Sequence, residues 1–235
     1  VSRHYVDKPP PLSAMATPYY TDGQVTLFLG DCREVTDWLA ADVLVMDPPY
    51  GMAYESNFNR DRRNAKVGRA VAGDDDHLLR DQALAAWGDR PALAFGRWNV
   101  PRPIGTRHRL VWDKGNTVGM GDLNMPWGPT DEEIYVLGNG FSGTRESNVI
   151  RVQMLMSGDR RRPDHPTPKP VGLLERLIAK CPPGIVADPF AGSGSTLVAA
   201  RNLGRRVIGV EIEERYCELV ARRLDQGAFD FGGAA

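Results

Sequence analysis

Cysteine is rare in this sequence. Cys32, Cys181 and Cys217 are an odd number, far apart and without a CxxC pair, which excludes a disulfide framework and a cysteine-based zinc cluster. The histidines, His4, His77, His108 and His165, show no ligand spacing, so no metal is expected. Long apolar runs are also lacking. None approaches the ~18 residues that cross a bilayer, and residues 1–11 have no apolar stretch of the signal-peptide kind. A cytoplasmic protein with no membrane partner is expected. Net charge is almost missing, at −1 from 29 basic and 30 acidic side chains, and the basic excess usual in nucleic-acid binders is absent. Lysine is scarce beside arginine, 5 against 24, a bias that suits a GC-rich bacterial or phage genome.

What is present is ordinary globular material. Hydrophobic residues make up 42% and charged residues 25% of 235 positions, too apolar for a disordered chain. At ~150 residues per domain the length suits a single domain, 1–235, with a modest insertion. The near-zero charge hides clustering. Residues 60–69 carry Arg60, Arg62, Arg63, Lys66 and Arg69 against Asp61 alone, and Arg160, Arg161 and Arg162 run together. Such runs are often no more than solvated loops. Their position relative to the chemistry decides between the two readings.

Short apolar runs alternate with helical patterns. Strands are expected at Val25–Leu29, Val43–Met46, 92–95, 110–112, 133–137, 185–187 and 207–210. Helices are expected at 81–87, 171–180, 195–203 and 212–224, and residues 226–235 read as a flexible tail. Alternation of this kind predicts a doubly wound, mostly parallel sheet of seven strands in an α/β fold. Ligands of such folds sit at the carboxyl ends of the strands, where strand order reverses.

Two strand ends carry chemistry. After 185–187 comes Asp188, Pro189, Phe190, Ala191, Gly192, Ser193, Gly194 and Ser195, leading into a helix. The glycines allow close backbone approach to a ligand, and the helix start offers N–H groups. Glu211 follows Gly192 by 19 residues, at the end of the next strand, where an acid can accept hydrogen bonds from ribose hydroxyls. Leu197 occupies the place of a third glycine, so this is a nucleoside unit and not a dinucleotide one. The other strand end is Asp47, Pro48, Pro49 and Tyr50. Two prolines end the strand and stiffen it. A carboxylate, a proline carbonyl and an aromatic face then converge on one point. An exocyclic amino group on a planar ring needs that combination, because its lone pair is delocalised and must be drawn out by acceptors on both N–H bonds. Taken alone, the same residues are also those of a plain strand-terminating turn.

Together, Asp-Pro-Pro-Tyr and Asp-Pro-Phe-Ala-Gly-Ser-Gly resemble the amino-group DNA methyltransferases, which methylate adenine N6 or cytosine N4 with S-adenosylmethionine. Gly30, Asp31 and Cys32 resemble the family's element against the cofactor adenine. His165, Pro166, Thr167, Pro168, Lys169 and Pro170 resemble the segment that closes the cofactor pocket. Trp112, Asp113, Lys114 and Gly115, with Gly119, Met120 and Gly121, resemble a strand end and loop of the family. The catalytic motif precedes the cofactor motif, as in the circularly permuted β group. 5-Methylcytosine enzymes use a cysteine after a proline, and no Pro-Cys occurs here.

The resemblance implies a Rossmann-like methyltransferase fold and direct methyl transfer to a flipped base. Catalysis then falls to Asp47, Pro48, Pro49 and Tyr50. Cofactor binding falls to Asp31, Cys32, Asp47, Thr167, Lys169, Asp188, Phe190, Ala191, Gly192, Ser193, Gly194, Ser195 and Glu211. Double-stranded DNA is the expected partner, held by Arg60, Arg62, Arg63, Lys66, Arg69, Arg160, Arg161 and Arg162 through its phosphates. Residues 139–164 read as a small target-recognition insertion. Asp at the first catalytic position points to adenine N6, with cytosine N4 and a catalytically silent DNA- or cofactor-binding module as alternatives. A homodimer and a cognate restriction endonuclease stay open.

Overall fold

Strand β3 (Val43–Met46) shows how the sheet is built. All four residues are buried, and they alternate between two cores, Val43 and Val45 facing one and Leu44 and Met46 the other. A strand covered on both faces reads as a continuous apolar run, as parallel sheets require. Burying each of these side chains contributes roughly 1.5–3 kcal/mol before entropy is counted. The computed structural model describes residues 16–49, 77–115, 124–154 and 162–230, with side chains to 226.

In chain order the remaining elements are β1 (Tyr20–Thr21), β2 (Val25–Leu29), α1 (Leu78–Trp87), β4 (Ala92–Gly96), β5 (His108–Asp113), β6 (Asp131–Leu137), β7 (Val149–Arg151), α2 (Val171–Ile178), β8 (Val186–Asp188), α3 (Ser195–Asn202), β9 (Val207–Glu211) and α4 (Glu214–Asp230). They form one sheet in the order β1-β2-β9-β8-β3-β4-β6-β5-β7. Five of its neighbouring pairs are parallel. The antiparallel pairs are β1 with β2 and β6 with both β4 and β5. Residues of α2, α3 and α4 join one core with Leu27, Phe95 and Trp112. The other face is covered by α1 and a short 3-10 turn, Asp37–Ala40, whose Trp38 stacks on Trp87 at 6.0 Å. Arg90 lies over the Trp87 ring and donates to the Leu39 and Ala41 carbonyls, both at 2.9 Å, fixing the turn beside α1.

The doubly wound α/β fold holds, and three expectations change. The sheet has nine strands among the described residues, not seven. The additional β1 and β7 are two and three residues long, too short to show an alternation. Helix α4 starts at Glu214 and continues to Asp230, so residues 226–230 of the expected tail are helical. The segment 139–164 is divided by β7. Leu137 ends β6 opposite Ala92, the first residue of β4, so residues 139–148 lie at the amino ends of the parallel strands. There they pack on α2 and the turn at its carboxyl end, with the Ser142 N–H donating to the Lys180 carbonyl at 3.0 Å and Arg176 pairing with Glu146 at 2.8 Å. They wall a cavity of about 350 Å³ lined by Leu110, Phe141 and Leu177. Among the described residues of the segment, Val152 after β7 lies at the opposite edge, its N–H donating to the Asp113 carbonyl at 3.1 Å.

β3 and β8 are parallel neighbours. The chain leaves β3 for β4 on one side and β8 for β9 on the other, so strand order reverses between them. Asp47 and Asp188 sit at the ends of these two strands, flanking the crevice where such folds bind ligands.

Candidate active site

On the β8 side the loop into α3 is shaped by two glycines with left-handed φ, Gly192 at +49° and Gly194 at +77°. A Cβ at Gly194 would lie 2.7 Å from Val220 Cγ2, and one at Gly192 would lie 3.2 Å from His165 Nε2. Asp188 is 2% exposed and accepts the Phe190 N–H at 3.0 Å. Burial pushes its carboxyl up to about 7, with Thr196 and the Phe190 N–H opposing and nearby Asp47 and Glu211 adding to the rise. Glu211, at the end of β9, accepts the Gly192 N–H at 2.7 Å on one oxygen and the Glu213 N–H at 2.8 Å on the other. Burial raises its carboxyl also. The Glu211 carbonyl takes the Gly30 N–H at 2.9 Å, which brings Asp31 and Cys32 to the same edge. Asp31 is held by Arg33, and burial raises the Cys32 thiol to about 11, so it is no nucleophile at neutral pH. Phe190 packs at the margin of the Trp38 core, and Ala191, Ser193 and Ser195 are buried in the turn.

On the β3 side, Asp47 is paired with the Lys169 ammonium. Lys169 lies between Asp47 and Glu132, 3.3 Å from Glu132 Oε2 and 5.0 Å above the Phe95 ring. Glu132 in turn pairs with Lys114 at 2.8 Å. Burial opposes charge on both Lys169 and Glu132. The carboxylates nonetheless hold the Lys169 ammonium above its ordinary range, and the two lysines hold Glu132 below its own. Pro48 is buried behind Asp47 and Pro49 half-buried.

Glu132 was not found from the sequence. The available signal was the run Asp131, Glu132, Glu133 opening an apolar strand. Period-two alternation puts two of these acids on opposite faces. Glu133 faces Tyr135 and Arg109, at 2.6 and 2.8 Å, while Glu132 faces the lysines.

The segment before α2 joins the two sides. His165 packs on Tyr216 at 4.6 Å, and its Nδ1 accepts the Thr167 N–H at 3.2 Å. Burial, with Lys169 and Arg162 nearby, depresses the imidazole to about 3, so it stays neutral. Thr167 itself is exposed. Arg162, expected on DNA, donates to the Pro166 carbonyl at 2.8 Å within its own loop. Tyr50, Arg60, Arg62, Arg63, Lys66, Arg69, Arg160 and Arg161, with the loop 119–121, lie outside the described residues. Among the described residues no group of histidine, cysteine or carboxylate side chains has the arrangement of a metal site, and no helix is long and apolar enough to cross a membrane.

The family described as DNA methylase (N6_N4_Mtase) matches residues 111–222. The type II methyltransferase M.ScaI of Streptomyces caespitosus is 37% identical over 262 aligned positions, covering 92% of this chain and 86% of that protein. The chain belongs to the N6/N4 DNA methylase family. Among solved structures, the PvuII DNA methyltransferase, described as cytosine-N4-specific, superposes with a TM-score of 0.64 at 14% identity, covering 88% of each chain. M1.HpyAVI in complex with S-adenosylmethionine gives 0.58 at 20% identity, over 85% of this chain and 99% of that one. These two share the fold.

As a member of the family the protein is a DNA amino-methyltransferase, and S-adenosylmethionine is its cofactor. The residues at the β8 edge suit that molecule. Asp188 and Glu211 are buried carboxylates with no ion-pair partner among the described residues. That state suits a ligand carrying positive charge and hydroxyl groups. Gly192 and Gly194 leave open a backbone cradle that a Cβ at either position would crowd.

Proposed function

We propose that this methylase transfers a methyl group to the exocyclic N6 of adenine in duplex DNA, at a short recognition sequence, with the base turned out of the helix. The observation that carries this reading is the Asp47 carboxylate at the end of β3, one strand from the cofactor cradle and fixed from behind by Lys169. S-adenosylmethionine supplies an electrophilic methyl on a sulfonium. Asp47 and the Pro48 carbonyl offer acceptors for the two amino N–H bonds, turning the nitrogen lone pair out of conjugation and toward that methyl. Tyr50 supplies a stacking face for the base. Cofactor contacts fall to Asp31, Cys32, Asp47, Lys169, Asp188, the 190–195 turn and Glu211, with Thr167 at the rim.

Asp rather than Ser at the first catalytic position favours adenine. The catalytic motif precedes the cofactor motif in the chain, as in the circularly permuted β group. Phosphates are neutralised by Arg60, Arg62, Arg63, Lys66, Arg69, Arg160 and Arg161, while the loop carbonyls that Arg162 serves favour a structural share in its role. Recognition falls to 51–73 and to the part of 139–164 beyond β7. The reaction belongs in the cytoplasm of a bacterium or a phage-infected host.

The test is nucleoside analysis of unmethylated bacterial DNA after incubation with the protein and S-adenosylmethionine. N6-methyladenine at one sequence context is expected. N4-methylcytosine overturns the base assignment, methylation indifferent to sequence overturns the short recognition site, and no methyl incorporation overturns the enzyme reading.

A further inference from the structure

Behind Asp47 runs a line of charges, with Lys169 buried and Glu132 and Lys114 partly buried. From the site outward they are Asp47, Lys169, Glu132 and Lys114, alternating in sign. Each comes from a different part of the fold: the end of β3, the segment before α2, the start of β6 and the end of β5. Lys169 is 6% exposed. A lysine is a point charge on a flexible four-carbon stem, and a single carboxylate does not fix where its ammonium rests. Glu132 supplies the second anchor. Its Oε2 is shut off from solvent, makes no aligned hydrogen bond, and meets Lys169 through charge at 3.3 Å. Its other oxygen is held by Lys114 at 2.8 Å, with the Lys114 ammonium 5.3 Å from the Trp112 ring. Burying ions in this way costs more than a hydrophobic filling of the same volume would, so stability alone does not call for the line.

We propose that Glu132 is a positioning residue for methyl transfer: braced by Lys114, it holds the Lys169 ammonium so that Lys169 orients the Asp47 carboxylate toward the target amine. This rests on the reading that places Asp47 at that amine. Without the Glu132 charge, Lys169 loses one of the two carboxylates that hold it among the described residues. The ammonium, whose closest contact is already Asp47, loses the second charge that fixes its position, and it loses its proton at lower pH. Among the described residues, those facing Lys169 include Asp47 after β3, Glu132 on β6 and the Phe95 ring on β4. His165 and Arg162 lie on its own segment, Lys114 one step beyond Glu132, and Asp188 on the far side of Asp47. Of these Glu132 is the anion removed by Glu132→Gln, so the alkaline limb of the kcat profile moves to lower pH.

The experiment measures tritiated methyl transfer to unmethylated bacterial genomic DNA, cofactor binding by calorimetry and thermal midpoint for wild type, Glu132→Gln, Glu132→Asp and Asp47→Ala. For Glu132→Gln, kcat is expected to fall about 10- to 100-fold, the scale seen when an outer partner of a reacting group is lost. The cofactor Kd stays within about twofold, the alkaline limb shifts to lower pH, and Glu132→Asp recovers part of the rate. Unchanged kcat in Glu132→Gln, or a loss with an unmoved alkaline limb that follows the thermal midpoint, overturns the role of Glu132 alone. Full transfer by Asp47→Ala overturns the placing of Asp47 at the amine, and this proposal with it.

Discussion

Two pairs of carboxylates, one buried and one partly buried, sit on opposite sides of the crevice and are treated in opposite ways. Asp188 and Glu211, on the β8–β9 side, are surrounded by backbone N–H groups and have no cation among the described residues, and burial raises both. Asp47 and Glu132, on the β3–β6 side, are matched one for one by Lys169 and Lys114, and Glu132 is held below the ordinary carboxylate range. Under the roles proposed for the two sides, the difference follows from the ligand each receives. A positively charged cofactor brings its own counter-charge, and a lysine placed there beforehand would repel it. A neutral amine brings none, so the anion that meets it must already be balanced within the protein.

The comparison breaks most sharply at Asp47. Asp47→Ala is expected to lower kcat about 100- to 1,000-fold, the cost of losing a group aimed at developing charge. S-adenosylmethionine binding by calorimetry should weaken far less than kcat falls; a loss of binding on the same scale would merge the two sides into one. Gly194→Val tests the other side. Left-handed backbone strain and a contact with Val220 combine to about 2–4 kcal/mol in chemical denaturation, and tolerance of valine would mean that the cradle is not held by packing on α4.

Asp188→Asn sharpens the electrostatic half of the contrast. The native carboxyl, at about 7, binds its proton more tightly than the unfolded chain does near 4. Unfolding therefore releases a proton, and the cofactor-free protein loses stability as pH rises from about 4 to about 7. The asparagine variant should show a flatter profile by thermal denaturation, and cofactor affinity in the wild type should increase as Asp188 ionises. A wild-type profile already flat over that window would contradict the unbalanced burial of Asp188. The smallest effect is that of Gly192→Ala. With φ at +49° and the His165 ring 3.2 Å from the new carbon, it should cost about 1 kcal/mol in stability and weaken cofactor binding more than it slows methyl transfer at saturation.

The sequence made the parallel core and the cofactor loop legible for a common reason: both are written locally. Val43–Met46 is a four-residue apolar run cut off by two prolines, and the glycine turn after Asp188 announces itself within eight residues. Strands β1 and β7 carry no such pattern, because their hydrogen bonds are set by partners outside their own few residues. Glu132 was invisible for the same reason. Its role depends on Lys114, which precedes it by 18 residues, and on Lys169, which lies 37 residues beyond it, and no spacing rule joins the three. Lys169 is legible as part of a segment, residues 165–170, that resembles one of the family, but its pairing with Glu132 is not.

That segment has a mechanical consequence. His165 rests over Gly192 on the cofactor side and Lys169 grips Asp47 on the other, four peptide steps apart, a span of at most ~14 Å even when fully extended. The bridge sets an upper limit on how far apart the two contacts can lie, with the flexible Lys169 stem taking up smaller changes, so the halves of the crevice share one short span of chain as the arms of a pair of calipers share a hinge.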